Sequence, residues 1–184
     1  MKKTLVMALL VGLHTAAYAQ NEPAAQDTTP HSLAQEITQE EQRLNTLRDK
    51  AENGSEEDRH QLTDQLLSSN WPPYRAEGIK WLKQEADAND VRAQFRLAKI
   101  YLGRMPNEND PESGLIYLKK SAEAGFAPAQ LLMSVILSKH PQLPRDFEQA
   151  RQWAEKALNN PDATPQLKEG ADNMIAFIDG NKAP

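Results

Sequence analysis

The chain contains no cysteine. That absence excludes a disulfide, a thiolate metal site and a lipid-modified N-terminal cysteine. Small exported domains often rely on disulfides, so packing alone has to hold this one. No apolar run approaches the ~20 residues that a spanning helix needs. Basic residues are outnumbered, with 21 Lys and Arg against 26 Asp and Glu, and they are not clustered as phosphate contacts require. His14, His31, His60 and His140 stand far apart, and no His-Glu-x-x-His pattern, glycine-rich phosphate loop or Gly-x-Ser-x-Gly elbow occurs. These absences lead us to expect no catalytic residue, no cofactor, no metal site, no nucleic-acid partner and no membrane span.

The chain opens with Lys2-Lys3, the apolar run Leu5 to Leu13, and Ala17-Tyr18-Ala19. This is the charge, apolar core and small-x-small site of a secretory signal peptide, so residues 1–19 are expected to be cleaved after Ala19. The mature chain is then periplasmic or secreted. Loss of Lys2 and Lys3 without any acid takes the formal charge from −5 to −7. The remaining length suits one domain. Residues 20–31 hold little to bury and read as a disordered lead.

A helix comes after the lead, with Ser32 as N-cap and Gln35 completing a capping box. Its apolar stripe, Leu33, Ile37, Leu44, Leu47 and Ala51, is as narrow as a coiled-coil seam. Asn53-Gly54 ends it, with glycine expected in the left-handed conformation, and Ser55 with Asp58 starts a second helix to about Ser69. This helical hairpin, 32–70, either caps the rest of the chain or pairs with another chain, so self-association through 32–52 is an open expectation. Trp71-Pro72-Pro73 breaks the helical pattern and marks the boundary.

Beyond the prolines the sequence repeats with a step of 36. Trp81, Ala86, Ala93 and Leu97 meet Tyr117, Ala122, Ala129 and Met133, and Asp110, Gly114 and Tyr117 meet Asp146, Ala150 and Trp153. Asn89 stands where the later turn has Gly125. One period at several independent positions predicts a stacked array of helical hairpins: 74–109, 110–145 and an atypical, capping 146–180. The predicted helices run from about Arg75 to Ala86, Val91 to Leu102, Glu112 to Glu123, Pro128 to Ser138, Asp146 to Leu158 and Pro165 to Ile178. The fold class is all-α, a right-handed α–α superhelix. Small residues (Ala86, Ala93, Ala98, Ala122, Ala124, Ala129, Ala150) let backbones approach closely. The rings of Trp81, Tyr117 and Trp153 fill the gaps between hairpins, and their phase assigns them to the core rather than to a stacking ladder for sugars or peptides. Tyr101 and Ala157 complete the repeat-defining set. Trp71 falls outside this phase and is the candidate for an exposed partner contact. A lone hairpin buries one face only and is not expected to fold.

The pattern Asp-x-x-x-(Ala/Gly)-x-x-(Trp/Tyr), followed by Ala-x-Ala-Gly and then Ala-Gln-x-x-(Leu/Met), resembles the Sel-one-like repeat, a tetratricopeptide-related unit common in bacterial exported proteins. The resemblance covers roughly 74 to 158 and is densest from Asp110 to Leu137, where Gly125 fills the glycine position. It implies a non-catalytic adaptor or scaffold that binds another protein in the bacterial envelope. It also implies an alternative, an immunity protein that neutralises a toxin delivered to the periplasm. An envelope hydrolase acting through carboxylates is a third, more distant reading.

Overall fold

In the computed structural model the described residues are 30–103, 109–140 and 144–181. The expected signal peptide, and the lead apart from Pro30 and His31, lie outside them. Among the described residues there are eight α-helices and no strand: α1 Pro30–Asn53, α2 Glu56–Ser68, α3 Pro72–Asp87, α4 Val91–Tyr101, α5 Pro111–Glu123, α6 Ala127–Lys139, α7 Phe147–Leu158 and α8 Pro165–Asn181. They fall into two compact units, one ending at Leu62 and one beginning at Thr63. That division lies within α2 rather than at the prolines.

In the first unit Leu44, Leu47 and Ala51 are buried, but Ile37 is 39% exposed, so the seam expected along α1 departs from the buried side in its N-terminal half. Ser55 and Asp58 form the reciprocal cap that opens α2. Asp58 Oδ2 accepts from Ser55 N–H at 2.9 Å and from its hydroxyl at 2.7 Å, and those bonds hold the carboxyl below its ordinary range. Gly54 corrects an expectation: the left-handed positions among the described residues are Asn89 and Gly125. Glycine is needed at 54 for space, because a Cβ there would lie 2.4 Å from the Lys50 carbonyl oxygen and 2.5 Å from Asp58 Oδ2.

The second unit is the array. Each helix from α3 to α8 packs on the next, and α6 also meets α8. Pro72 and Pro73 do not precede α3 but begin it, with Trp71 as N-cap; a proline in the first turn removes an N–H that has no helical partner anyway. The expected start at Arg75 is therefore three residues late. Leu82, Ala86, Ala93, Leu97, Ala98, Leu118, Ala122, Ala129 and Met133 form one continuous core with Tyr117 and Trp153. A second cluster of Ala150, Ala154, Met174 and Ile178 closes the far end between α7 and α8.

Close approach is set at one recurring position. A Cβ on Gly114 would lie 2.8 Å from Leu102 Cγ, and a Cβ on Gly78, one step earlier, would lie 3.0 Å from Leu66 Cβ and Leu67 Cγ. One step later stands Ala150, fully buried. Glycine, glycine and alanine thus let α3, α5 and α7 each rest on the helix before it. Two expectations shift here. Trp81 is only half-buried, and Leu82 beside it carries the core, because Gly78, Leu82 and Ala86 share the buried side of α3 and position 81 lies on its flank. Ala124 is exposed; it caps α5 instead of separating helices.

The turns repeat as well. Ala88, Asn89 and Asp90 donate to the carbonyls of Gln84, Ala86 and Glu85, and Ala124, Gly125 and Phe126 donate identically to Lys120, Ala122 and Ser121. Both turns pivot on a left-handed residue, Asn89 at φ 69° and Gly125 at φ 89°. Nothing lies within 4 Å of a Cβ built on Gly125, so glycine is there for its backbone freedom alone. Gly125→Ala is therefore expected to cost about 1–2 kcal/mol. Gly125→Asn, which copies the earlier turn, should cost clearly less, because asparagine tolerates this conformation. Thermal melts of the two variants measure the difference.

Candidate functional site

Helix caps place the first residues of α5 and α7. Asp110 and Asp146 accept from the backbone N–H three residues on, Ser113 at 3.1 Å and Gln149 at 2.9 Å. Their own N–H groups return to the carbonyls of Tyr101 and Leu137 in the preceding helix. The position 36 residues earlier than Asp110 is Tyr74, which lies inside α3, so the first hairpin lacks this cap.

Most buried polar groups of the array are used to lock it. Gln94 Nε2 donates to the Ala86 carbonyl at 3.1 Å, and Gln130 Nε2 donates to the Ala122 carbonyl at 3.2 Å, each joining the two helices of a hairpin. Gln130 Oε1 also accepts from Asn160 Nδ2 at 3.0 Å, and the same nitrogen donates to the Gly125 carbonyl at 2.8 Å. The Ser121 hydroxyl donates to the Val91 carbonyl across a repeat at 2.8 Å. The Ala-Gln pair is visible in the sequence as a repeated dipeptide; its bolting role and the partnership with Asn160 are not. Among the described residues Glu85 is the one buried carboxylate, and its Oε1 accepts from the Thr63 hydroxyl at 2.9 Å.

The rings that step by 36 sit at the rim of the core: Tyr117 is 7% and Trp153 9% exposed. The Tyr117 hydroxyl donates to Asp87 Oδ1 at 2.6 Å, and Lys83 Nζ donates to Asp87 Oδ2 at 2.6 Å, so α3 and α5 are tied at their exposed edge. Lys83, then Tyr117, hold the Asp87 carboxyl below its ordinary value of 3.8, while burial and the Asp87 contact push the Tyr117 phenol up. A carboxyl depressed on folding stabilises the fold at pH above 3.8, and that contribution disappears as pH falls toward the folded value. Wild type should therefore melt above Asp87→Asn at pH 7, with the gap narrowing as the pH falls below 3.8. Melting curves across that range check it.

The exterior of α5 and α7 carries a matching set of groups. Lys120 lies 5.6 Å from the Tyr117 ring centre, and Lys156, one step later, 4.1 Å from that of Trp153. Both lysines are exposed, as are Gln149 and Gln152, and Ile116 is 52% exposed. Trp71, expected at a partner contact, is 45% exposed at the start of α3. At the turn end of the array an open groove of about 430 Å³ is lined by Val91, Arg92, Phe126, Pro128, Asp162 and Leu167, among others. His60, in the first unit, lies 3.8 Å from Glu56, and His140 caps the end of α6. No helix of the described residues is long and apolar enough to cross a membrane.

Comparison with known proteins fits this architecture. The Sel1 repeat family model matches residues 91–126 and 127–162. These are two adjacent units with the step of 36 read from the sequence, cut as α4 with α5 and α6 with α7. No curated protein matches the chain. Among solved structures, a Sel1 repeat protein from Oxalobacter formigenes is similar over 73% of this chain and 37% of its own, with a TM-score of 0.58 and 24% identity. The chain thus spans well under half of that protein, and the likeness concerns the fold.

Proposed function

We propose that this Sel1-like helical repeat protein acts without chemistry of its own, as an adaptor that holds another protein in the bacterial envelope. Sel1 repeats are in general protein–protein interaction modules. The observation that carries the reading is the use made of the interior. Gln94, Gln130 and Ser121 bond across helices, Asn160 ties the α7–α8 connection to Gln130, and Glu85 Oε1 accepts from Thr63; no second buried carboxylate stands beside Glu85 among the described residues. Acid–base hydrolysis uses a pair of carboxylates with separated roles; a binding module needs a rigid frame with side chains free on its outside. Export rests on the first nineteen residues. Lys2-Lys3, the apolar run and Ala17-Tyr18-Ala19 have the order of a cleaved signal.

Purified mature chain, immobilised and exposed to envelope extract, should retain a specific protein that competing free chain displaces. Failure to retain any would contradict the adaptor reading, and retention of a toxin would turn it into an immunity role. Mass spectrometry of the protein recovered from its producing cell should find Gln20 as the first residue. A cytoplasmic chain beginning at Met1 would contradict export.

A further inference from the structure

The connection between α1 and α2 is built for a covalent change. An asparagine side chain is open to attack by the backbone nitrogen of the residue after it, and that residue's own side chain is the usual obstacle. Asn53 is the one asparagine of the chain that glycine follows, and glycine has no Cβ to stand in the way. Asn53 and Gly54 are both exposed. Asn53 is also the last residue of α1, and helix ends fray, which frees the backbone for the turn that the attack requires. One bond restrains the amide: its Nδ2 donates to the Asp49 carbonyl at 3.1 Å. Asn159 supplies a comparison within the same chain. It caps the end of α7, and its Nδ2 has the same tether, to the Glu155 carbonyl at 2.9 Å. The residue after it, however, is Asn160, buried and bonded to Gly125 and Gln130. Asn89 is followed by Asp90, which is engaged in capping α4, and Asn160 by Pro161, whose nitrogen carries no hydrogen.

We propose that Asn53 is the position at which this chain first deamidates, and that the change loosens the cap at the start of α2. The Gly54 nitrogen gives up its proton and bonds to Asn53 Cγ. The bond from Cγ to Nδ2 breaks, and the nitrogen leaves with a proton as ammonia. Water then opens the five-membered imide at either carbonyl. One opening gives aspartate; the other routes the main chain through the side chain and gives isoaspartate, an atom longer in the backbone. Nothing is oxidised or reduced, and each ammonia released consumes one water. Both products put a carboxylate at the C-terminus of α1, the negative end of the helix dipole. The longer backbone also presses on Gly54, where even a Cβ would collide with the Lys50 carbonyl oxygen and Asp58 Oδ2. Asp58 is the carboxylate that accepts from the Ser55 N–H and hydroxyl, so a shift of Gly54 acts on that cap directly.

The test incubates the full chain at mildly alkaline pH, samples it over days and follows its tryptic peptides by mass spectrometry. The peptide Ala51–Arg59 should gain the mass of an amide-to-acid exchange and split into two chromatographic products. It should do so several times faster than the peptide carrying Asn159. The rate should rise with pH, because the attacking nitrogen must lose its proton, and rise again in urea, which releases the Asp49 tether. Asn159 converting as fast as Asn53 overturns the proposal. So does an Asn53 that stays intact in the folded chain while the urea-unfolded chain converts completely. Amide hydrogen exchange reads the second half of the proposal. The Ser55 N–H should exchange faster in aged wild type than in fresh, and equally in aged and fresh N53Q, which keeps an amide but closes no five-membered ring. Equal exchange in aged and fresh wild type refutes the effect on the cap.

Discussion

Truncating Leu118 to alanine is expected to lower the stability of the fold by about 2–5 kcal/mol. Leu118 has no exposed surface and lies in the core shared by successive hairpins, so the missing methyl groups leave a cavity between elements that cannot both close over it. At roughly 2–4 °C per kcal/mol for a chain of this size, the melting temperature should fall by about 10 °C. Ile116, two residues earlier on the same helix and half in solvent, supplies the control. Ile116→Ala should stay within ~0.5 kcal/mol of wild type. Comparable losses from the two variants would mean that the buried side of α5 is misassigned.

Gln130→Ala has the second large effect, expected at about 2–4 kcal/mol. Gln130 donates to the Ala122 carbonyl and accepts from Asn160, and each such bond is worth roughly 0.5–1.5 kcal/mol net, to which the buried volume lost is added. Gln130→Met keeps most of the volume and loses the bonds, so the two variants together separate packing from hydrogen bonding. Combining Gln130→Ala with Asn160→Ala should cost less than the two single losses added, because their shared bond is counted in both. Strict additivity in denaturant titrations would show that the two side chains do not act together.

The architecture is legible in the sequence because its signals are local and repeated. The step of 36 linking Ala86, Ala122 and the Ala-Gln pairs locates the hairpins, and Asn89 in the place of Gly125 identifies the turns. In the structure both adopt the same left-handed backbone. The features that escape a reading of the sequence depend on side-chain direction or on distant neighbours. Hydrophobicity alone does not say which of Trp81 and Leu82 faces inward, and the core turns on Leu82. Gly78 stands one step before Gly114 at the small-residue position of the repeat, but the side chains it rests on, Leu66 and Leu67, lie outside the repeated stretch. Asn160 bonds to residues 30 and 35 positions earlier, a pairing no local period announces. Asn53-Gly54 suggests a conformational role for its glycine, whereas the reason is steric.

Every hairpin of the array depends on its neighbours for a core. The direct measurement of that dependence is far-ultraviolet circular dichroism of an isolated peptide spanning residues 111–140, the α5–α6 hairpin, in water. Its two helices have 13 residues each, near the ~12–15 below which an isolated helix is marginal, and Gly114 would lose the Leu102 and Tyr101 side chains it rests on. The expected spectrum is that of a largely unfolded chain with no cooperative melt. A strongly helical spectrum with a sharp thermal transition at low peptide concentration would contradict it.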